Sequence, residues 1–264
     1  MSHLETEPYP RFTEYLPATE ITEGKYLLRF AQSRAELDTI LKLRFDVFNL
    51  ELGEGLENSY LTQRDEDQFD ANCHHMLVLD TGTRGIIGTY RMQTWEMAGS
   101  VEKFYSTCVF DLSSLPGEML RQSVELGRAC VAKKHRNARV LYLLWRGLAH
   151  YMTFNHKRYL FGCCSLTSQD PQEGKRVMDF LEANQHVHPA LRVRPQPAQT
   201  CYPEDFIVAE ERAPNIPRLM KLYLTIGAKI CGPPALDREF KTIDYLTLFD
   251  AEAMDDKTAN YFFK

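Results

Sequence analysis

The chain has 264 residues, 44% of them hydrophobic and 25% charged, which suits one large α/β domain or one domain with a smaller appendage, with the fractions of an ordinary soluble globular protein. With 31 Lys and Arg against 36 Asp and Glu the net charge is −5, so wholesale nucleic-acid binding is not expected. Seven cysteines without a C-x-x-C pair read as reduced thiols and not as a disulfide framework. The polar, acidic start MSHLETEPYPRFTEY lacks a signal-peptide core, and apolar runs such as VLYLLW are core-sized, so the cytoplasm is the expected location.

Residues 1–24 read as an irregular arm, with Pro8, Pro10 and Pro17 set against regular structure. KYLLRFA (25–31) is a predicted strand. Ser33 with Glu36 three residues on is a capping box, and Leu37, Ile40, Leu41, Arg44, Phe45 and Phe48 then share one helical face. Arg44 is the odd member of that face: it must either snorkel out or meet a buried anion. Residues 52–69 are rich in Gly, Asn and acids and read as a loop ending in RDEDQFD. HHMLVLD, the turn TGTRG and GIIGTYRMQTW form a predicted hairpin. Within it His75 and Asp80 match an H-x-x-x-x-D spacing, but the intervening MLVL is a strand interior, so the match carries no function. Cys73-His74-His75 is contiguous and lacks a second ligand cluster, so no metal site is expected.

After a mixed region with a short helical piece near VEKFYS, the stretch 122–152 reads as a strand, a basic turn and a long apolar helix. The strand carries Glu125 and Arg128. Residues three apart face opposite sides of a sheet, so if both serve one site the strand must bulge, most cheaply at Gly127. Such a bulge also turns a backbone N–H outward. The turn 133–139 holds four Lys or Arg and a His at a helix N-terminus, a setting that favours anions. The same stretch also reads as an ordinary surface ion pair beside a solvated corner. Beyond it lie a buried strand RYLFGCCSL, a helix from Pro171, a proline-rich loop at 185–203, a helix from Pro217 closed by Gly232, and a last strand in 239–250. Helices alternate with strands, so the expected fold is one α/β domain over 25–250, a central twisted mixed sheet with helices on both faces, followed by a tail at 251–264.

In that order LRFDVF (43–48), DEDQFD (65–70), GTYRM (88–92), VELGRACV (124–131), LLWRGLAHY (143–151), LFGCCSL (160–166) and YLTIGAKICGPPALDREFKTIDYL (223–246) resemble the haemolysin-like GNAT N-acyltransferases. That family includes ornithine N-acyltransferases of ornithine-lipid synthesis and long-chain N-acyl amino acid synthases. A more distant likeness is to acyl-homoserine lactone synthases, whose charged set corresponds to Arg44, Phe48, Asp67, Asp70, Arg91, Glu125 and Arg128. The resemblance implies a GNAT fold and an ionic cluster of Arg44 with Asp67, Asp70 and Arg91. It also implies acyl-acyl carrier protein as donor: a 4′-phosphopantetheine thioester used as substrate, with no tightly bound cofactor. The expected reaction moves a long-chain acyl group, with or without a 3-hydroxyl, to the α-amine of ornithine or another amino acid. Contact with the inner membrane through the lipid product is part of the same expectation.

One departure from acetyl-CoA-using GNATs is chemical. KKHRNAR replaces their glycine-rich pyrophosphate turn, so Lys133, Lys134, Arg136, Asn137 and Arg139 are the expected docking residues for an acidic carrier and its phosphate. Glu125 is the candidate base, with Arg128 beside it, and backbone N–H groups at Ala129, Cys130 and Val131 are candidate oxyanion donors. Ser165 either protonates the leaving thiolate or caps its strand end. Cys163 and Cys164 are expected to be core residues. The competing classes are a signal synthase that consumes S-adenosylmethionine and a non-catalytic module that binds an acyl carrier or lipid.

Overall fold

The computed structural model describes residues 8–210 and 212–263. Along the chain, β1 (Ile21–Glu23) and β2 (Tyr26–Phe30) lead to α1 (Arg34–Phe45), a single turn α2 (Ser59–Thr62), the hairpin β3 (His74–Asp80) and β4 (Gly85–Thr94), and α3 (Trp95–Ala98). Short pieces follow: β5 (Phe110–Asp111) and α4 (Gly117–Arg121). Then come the central β6 (Ser123–Val131), α5 (Ala138–Phe154), β7 (Tyr159–Leu166) and α6 (Pro171–Ala183). The last elements are β8 (Arg194–Pro195), α7 (Arg218–Thr225), β9 (Lys229–Ile230), β10 (Ala235–Asp237), β11 (Thr242–Asp250) and α8 (Asp256–Phe263). They fall into two units. One holds the chain up to Gly99, Leu126–Lys157 and the stretch from Asp256; the other holds Ser100–Glu125 and Arg158–Asp255. The chain passes from one to the other inside β6.

In the first unit β1 to β4 pair in sequence, all antiparallel, and the later half of β6 follows β4, with the Ala132 N–H on the Ile87 carbonyl at 2.8 Å. The Ser33 hydroxyl caps α1 by accepting the Glu36 N–H, as the sequence predicts. The helix does not end where its pattern does: Asp46–Glu51 widens into a π-helical turn, a feature common near functional sites. α1 and α5 cover opposite faces of the sheet. Ile40 of α1 clusters with Ala31 and Leu77, whereas Gly147 of α5 lies over Leu28 and Met76, and neighbouring strand residues face opposite ways. A Cβ at Gly147 would stand 2.2 Å from the Met76 sulfur, so the helix sits this close only because the residue is glycine. α8 packs on α5, the Phe262 ring 5.6 Å from Trp145.

In the second unit β6 runs parallel to β7 over Ser123–Glu125, and β7 pairs antiparallel with β11 along its full length. β10 and β9 also pair with β11, so the arrangement is mixed, as expected. Cys164, Leu166, Ile243 and Tyr245 face a core completed by Val177, Met178 and Leu181 of α6 and Met220 and Leu224 of α7. The helix predicted from Pro217 is shorter than its apolar pattern. It stops at Thr225 before Gly227 (φ 97°), and the last of that pattern, Lys229–Ile230, joins β11 as a strand.

Candidate active site

The first unit contains a buried cluster of three arginines and three aspartates. Arg44, at the end of α1, is fully buried; its Nε meets Asp65 Oδ2 at 2.7 Å, and its two Nη groups meet Asp70 at 2.6 and 3.2 Å. Arg91 on β4 reaches Asp67 at 2.6 Å and Asp70 at 3.0 Å. Arg128 on β6 donates to Asp67 at 3.0 Å and lies within ion-pair distance of Asp65 at 3.2 Å. Burial alone would push the Asp70 carboxyl up, but Arg44, Arg91 and His75 outweigh it and hold it well below the usual range. Arg91 is driven the other way, well above an ordinary guanidinium, because Asp67 and Asp70 outweigh its desolvation.

Two details extend the expected cluster. Arg44 pairs with Asp65 and Asp70, while Asp67 belongs to Arg91 and Arg128. His75, dismissed as a motif residue, is a member: its Nε2 is 3.1 Å from Asp70 and its Nδ1 is 3.0 Å from the Tyr9 hydroxyl. Burial outweighs the Asp70 contact and lowers the His75 pKa, so the neutral ring donates from Nε2 and accepts at Nδ1. His74 points elsewhere, to the Tyr151 hydroxyl and the Arg11 carbonyl. Phe48 is buried in the π-helical turn.

These shifts set the sign of a pH effect. In the unfolded chain imidazoles take up protons below about 6.5, whereas burial keeps folded His74 neutral down to about 4. The unfolded state therefore binds more protons as pH falls, and stability is expected to drop from about pH 6.5 downward. Asp67 and Asp70, depressed in the folded state, add a further loss below about 4. Urea midpoints that stay flat from about pH 7 to about pH 5 would contradict neutral buried histidines.

In the second unit Glu125 is buried, and each carboxylate oxygen accepts a backbone N–H: Oε1 from Ser106 at 2.7 Å and Oε2 from Tyr105 at 2.9 Å. The donors sit on the 3-10 turn Tyr105–Cys108, and the Tyr105 hydroxyl continues to Asp237 at 3.2 Å. The parallel register pairs Glu125 with Phe161. Alternation along β7 therefore puts Glu125, Cys163 and Ser165 on one face. The Cys163 sulfur is 3.9 Å from the Ser106 hydroxyl. Burial, with Asp244 and Glu125 adding to it, pushes that thiol well up, and burial pushes Cys164 to about 12. Protonated thiols of this kind are poor nucleophiles. Ser165 is half-buried opposite Asp244.

The irregularity expected at Gly127 lies at Arg128, whose φ of 51° is left-handed, a costly conformation for a residue with a side chain and one that gathers at functional sites. Arg128 serves the ionic cluster and Glu125 the 3-10 turn. Cys130 is buried, with its thiol pushed to about 12, between half-buried Ala129 and Val131.

In the basic turn Lys133, Lys134 and Arg139 are exposed. Arg136 is gripped by both oxygens of Glu51 at 2.7 and 2.8 Å and donates to the Val131 carbonyl. Asn137 caps α5, its Oδ1 accepting the N–H groups of Arg139 and Val140. Two helix N–H groups read from sequence as open to an anion are thus already taken.

The family described as acetyltransferase (GNAT) domain matches residues 43–146, which contain the ionic cluster, Glu125 and the basic turn. The L-ornithine N(alpha)-acyltransferase of Rhizobium meliloti (strain 1021) is 32% identical over 248 residues, covering 89% of this chain and 83% of that protein. Its namesake from Brucella abortus (strain 2308) is also 32% identical, over 252 residues, covering 90% and 89%. Among solved structures, the acyl-homoserine lactone synthase LasI aligns over 91% of this chain and 96% of its own, with a TM-score of 0.49 and 13% identity. Sharing about a third of its residues with these two enzymes along nearly its whole length, the chain belongs to the L-ornithine N(alpha)-acyltransferase family and is a GNAT-type acyltransferase.

Proposed function

We propose that the protein transfers a long-chain acyl group, carried as a thioester on an acyl carrier protein, to the α-amine of ornithine. The observation that carries this reading is the relationship to two enzymes named for that acceptor, which extends across the residues of both the ionic cluster and Glu125. In the reaction the amine nitrogen attacks the thioester carbonyl carbon, a C–N bond forms, the C–S bond breaks, and the amine's proton must leave. Glu125 takes that proton, directly or through a water. Two backbone N–H groups fix its orientation, and a carboxylate has acceptor positions to spare beyond two. Backbone N–H groups of Ala129, Cys130 and Val131 are assigned to the developing oxyanion, and Ser165 to the proton that the departing thiolate takes up. The cluster of Arg44, Asp65, Asp67, Asp70, Arg91 and Arg128 braces β6 and its left-handed residue, and Phe48 packs at the end of the helix that supplies Arg44.

The donor assignment rests on charge. An acidic carrier approaching a chain of net charge −5 needs a local positive landing site. With Arg136 held by Glu51, that site is Lys133, Lys134 and Arg139, next to the capped helix at Asn137. Reversing Lys133 and Lys134 to Glu is expected to raise KM for the carrier-bound donor on the order of tenfold, with kcat little changed and the defect shrinking in salt. Equal kcat/KM for matched acyl-CoA and carrier-bound acyl groups would remove the carrier from the proposal.

A further inference from the structure

Four large apolar side chains of the first unit stand in solvent on one short stretch: Leu50 (61% exposed), Leu52 (37%), Tyr60 (45%) and Leu61 (87%). The stretch is closed on itself. The Tyr60 hydroxyl donates to the Asn49 carbonyl at 3.1 Å, the Asn49 amide donates to the Leu56 carbonyl at 3.0 Å, and the Phe45 ring meets Tyr60 edge-on. Gly55, at φ 82°, folds the chain back over Asn49, where an added Cβ would stand 2.6 Å from the amide oxygen. Glu51, between Leu50 and Leu52, is the residue that grips Arg136. That ion pair sets the apolar loop beside the turn carrying exposed Lys133 and Lys134.

Single exposed leucines are ordinary, but several held outward beside cations match the chemistry of a membrane interface. We propose that this face docks the protein on a lipid bilayer containing anionic lipid. Leu50, Leu52, Tyr60 and Leu61 enter the headgroup region, and Lys133 and Lys134 meet lipid phosphate when no carrier occupies them. Among the described residues no helix is long and apolar enough to cross a membrane. An acidic carrier explains the lysines but not the leucines, and exposed Asp46 and Glu57 on the same stretch would repel such a protein lying across it; mobile lipid headgroups can rearrange around them. The inference rests on the acyltransferase reading in one respect: a long-chain N-acyl product is an amphiphile, and a docked enzyme releases it where it partitions.

Flotation with vesicles of phosphatidylethanolamine and phosphatidylglycerol, without substrates, tests this directly. The full chain is expected to float with the vesicles and to be released in part by salt. Leu50→Ser with Leu61→Ser should lower partitioning roughly tenfold or more, with the unfolding midpoint and the turnover of soluble substrates unchanged. A parent protein that stays in the aqueous fraction overturns the proposal, as does a variant that floats equally well. So does a variant whose defect is a raised KM for the carrier-bound donor, which assigns the face to the carrier, or loss of a dimer, which assigns it to a second copy. Failure of the acyltransferase reading shows separately, as absent N-acyl product with vesicle binding intact.

Discussion

Replacing Arg44 with alanine is expected to destabilise the protein by about 3–5 kcal/mol, the usual cost of removing one partner from a buried charge network. The side chain is fully buried and makes three contacts of 2.6–3.2 Å to two aspartates. Without it the cluster of three cations and three anions becomes two against three, with Asp65 and Asp70 still inside. Water cannot readily replace a guanidinium there, so the aspartates must either protonate or open the loop that carries them. Arg44→Lys should recover only part of the loss, because an ammonium cannot span both carboxylates as the planar fork does. Urea unfolding measures both variants. An unchanged midpoint in Arg44→Ala would show that the cluster contributes nothing to the folded state.

Glu125→Gln is expected to lower kcat by roughly two to four orders of magnitude, the usual worth of an acid–base group. It carries a structural cost as well. The amide keeps one acceptor oxygen, so either the Tyr105 or the Ser106 N–H loses its partner, which costs about 1–3 kcal/mol. The two effects separate when activity is measured per folded molecule at a temperature well below the variant's midpoint. If Glu125 is the base, the rate stays low there and the acid limb of the pH–rate profile disappears. If the carboxylate only holds the 3-10 turn, the rate recovers as the fold does and the limb remains.

Much of this arrangement was legible in the residues, and the parts that were not have identifiable causes. An arginine on an apolar helix face announced a buried anion, and RDEDQFD supplied it. Which aspartate took which arginine was not legible, because Asp65, Asp67 and Asp70 lie in an irregular segment whose turns decide their directions. His75 was missed for a sharper reason. A regular hairpin continued from the Asp80–Gly85 pair would set His75 opposite Tyr90, but the register shifts between Val78 and Leu79 and brings it opposite Arg91; a slip of one residue moves a side chain to the other face. The donors on Glu125 are backbone N–H groups of Tyr105 and Ser106, and backbone donors leave no residue signature. The left-handed residue in β6 is Arg128, where composition pointed to Gly127. Asn137 before an apolar helix was a readable N-cap, and its cap role halves the anion cradle read from the same turn.

Mass spectrometry of lipid extracts from cells that express the chain tests the central claim most directly, because it reads acceptor and acyl group together. The expected result is a new species in which a long-chain acyl group is joined by an amide to the α-nitrogen of ornithine, absent from cells expressing Glu125→Gln. A well-expressed, folded protein that yields acyl-homoserine lactones, another acylated amine or no N-acyl product would contradict it.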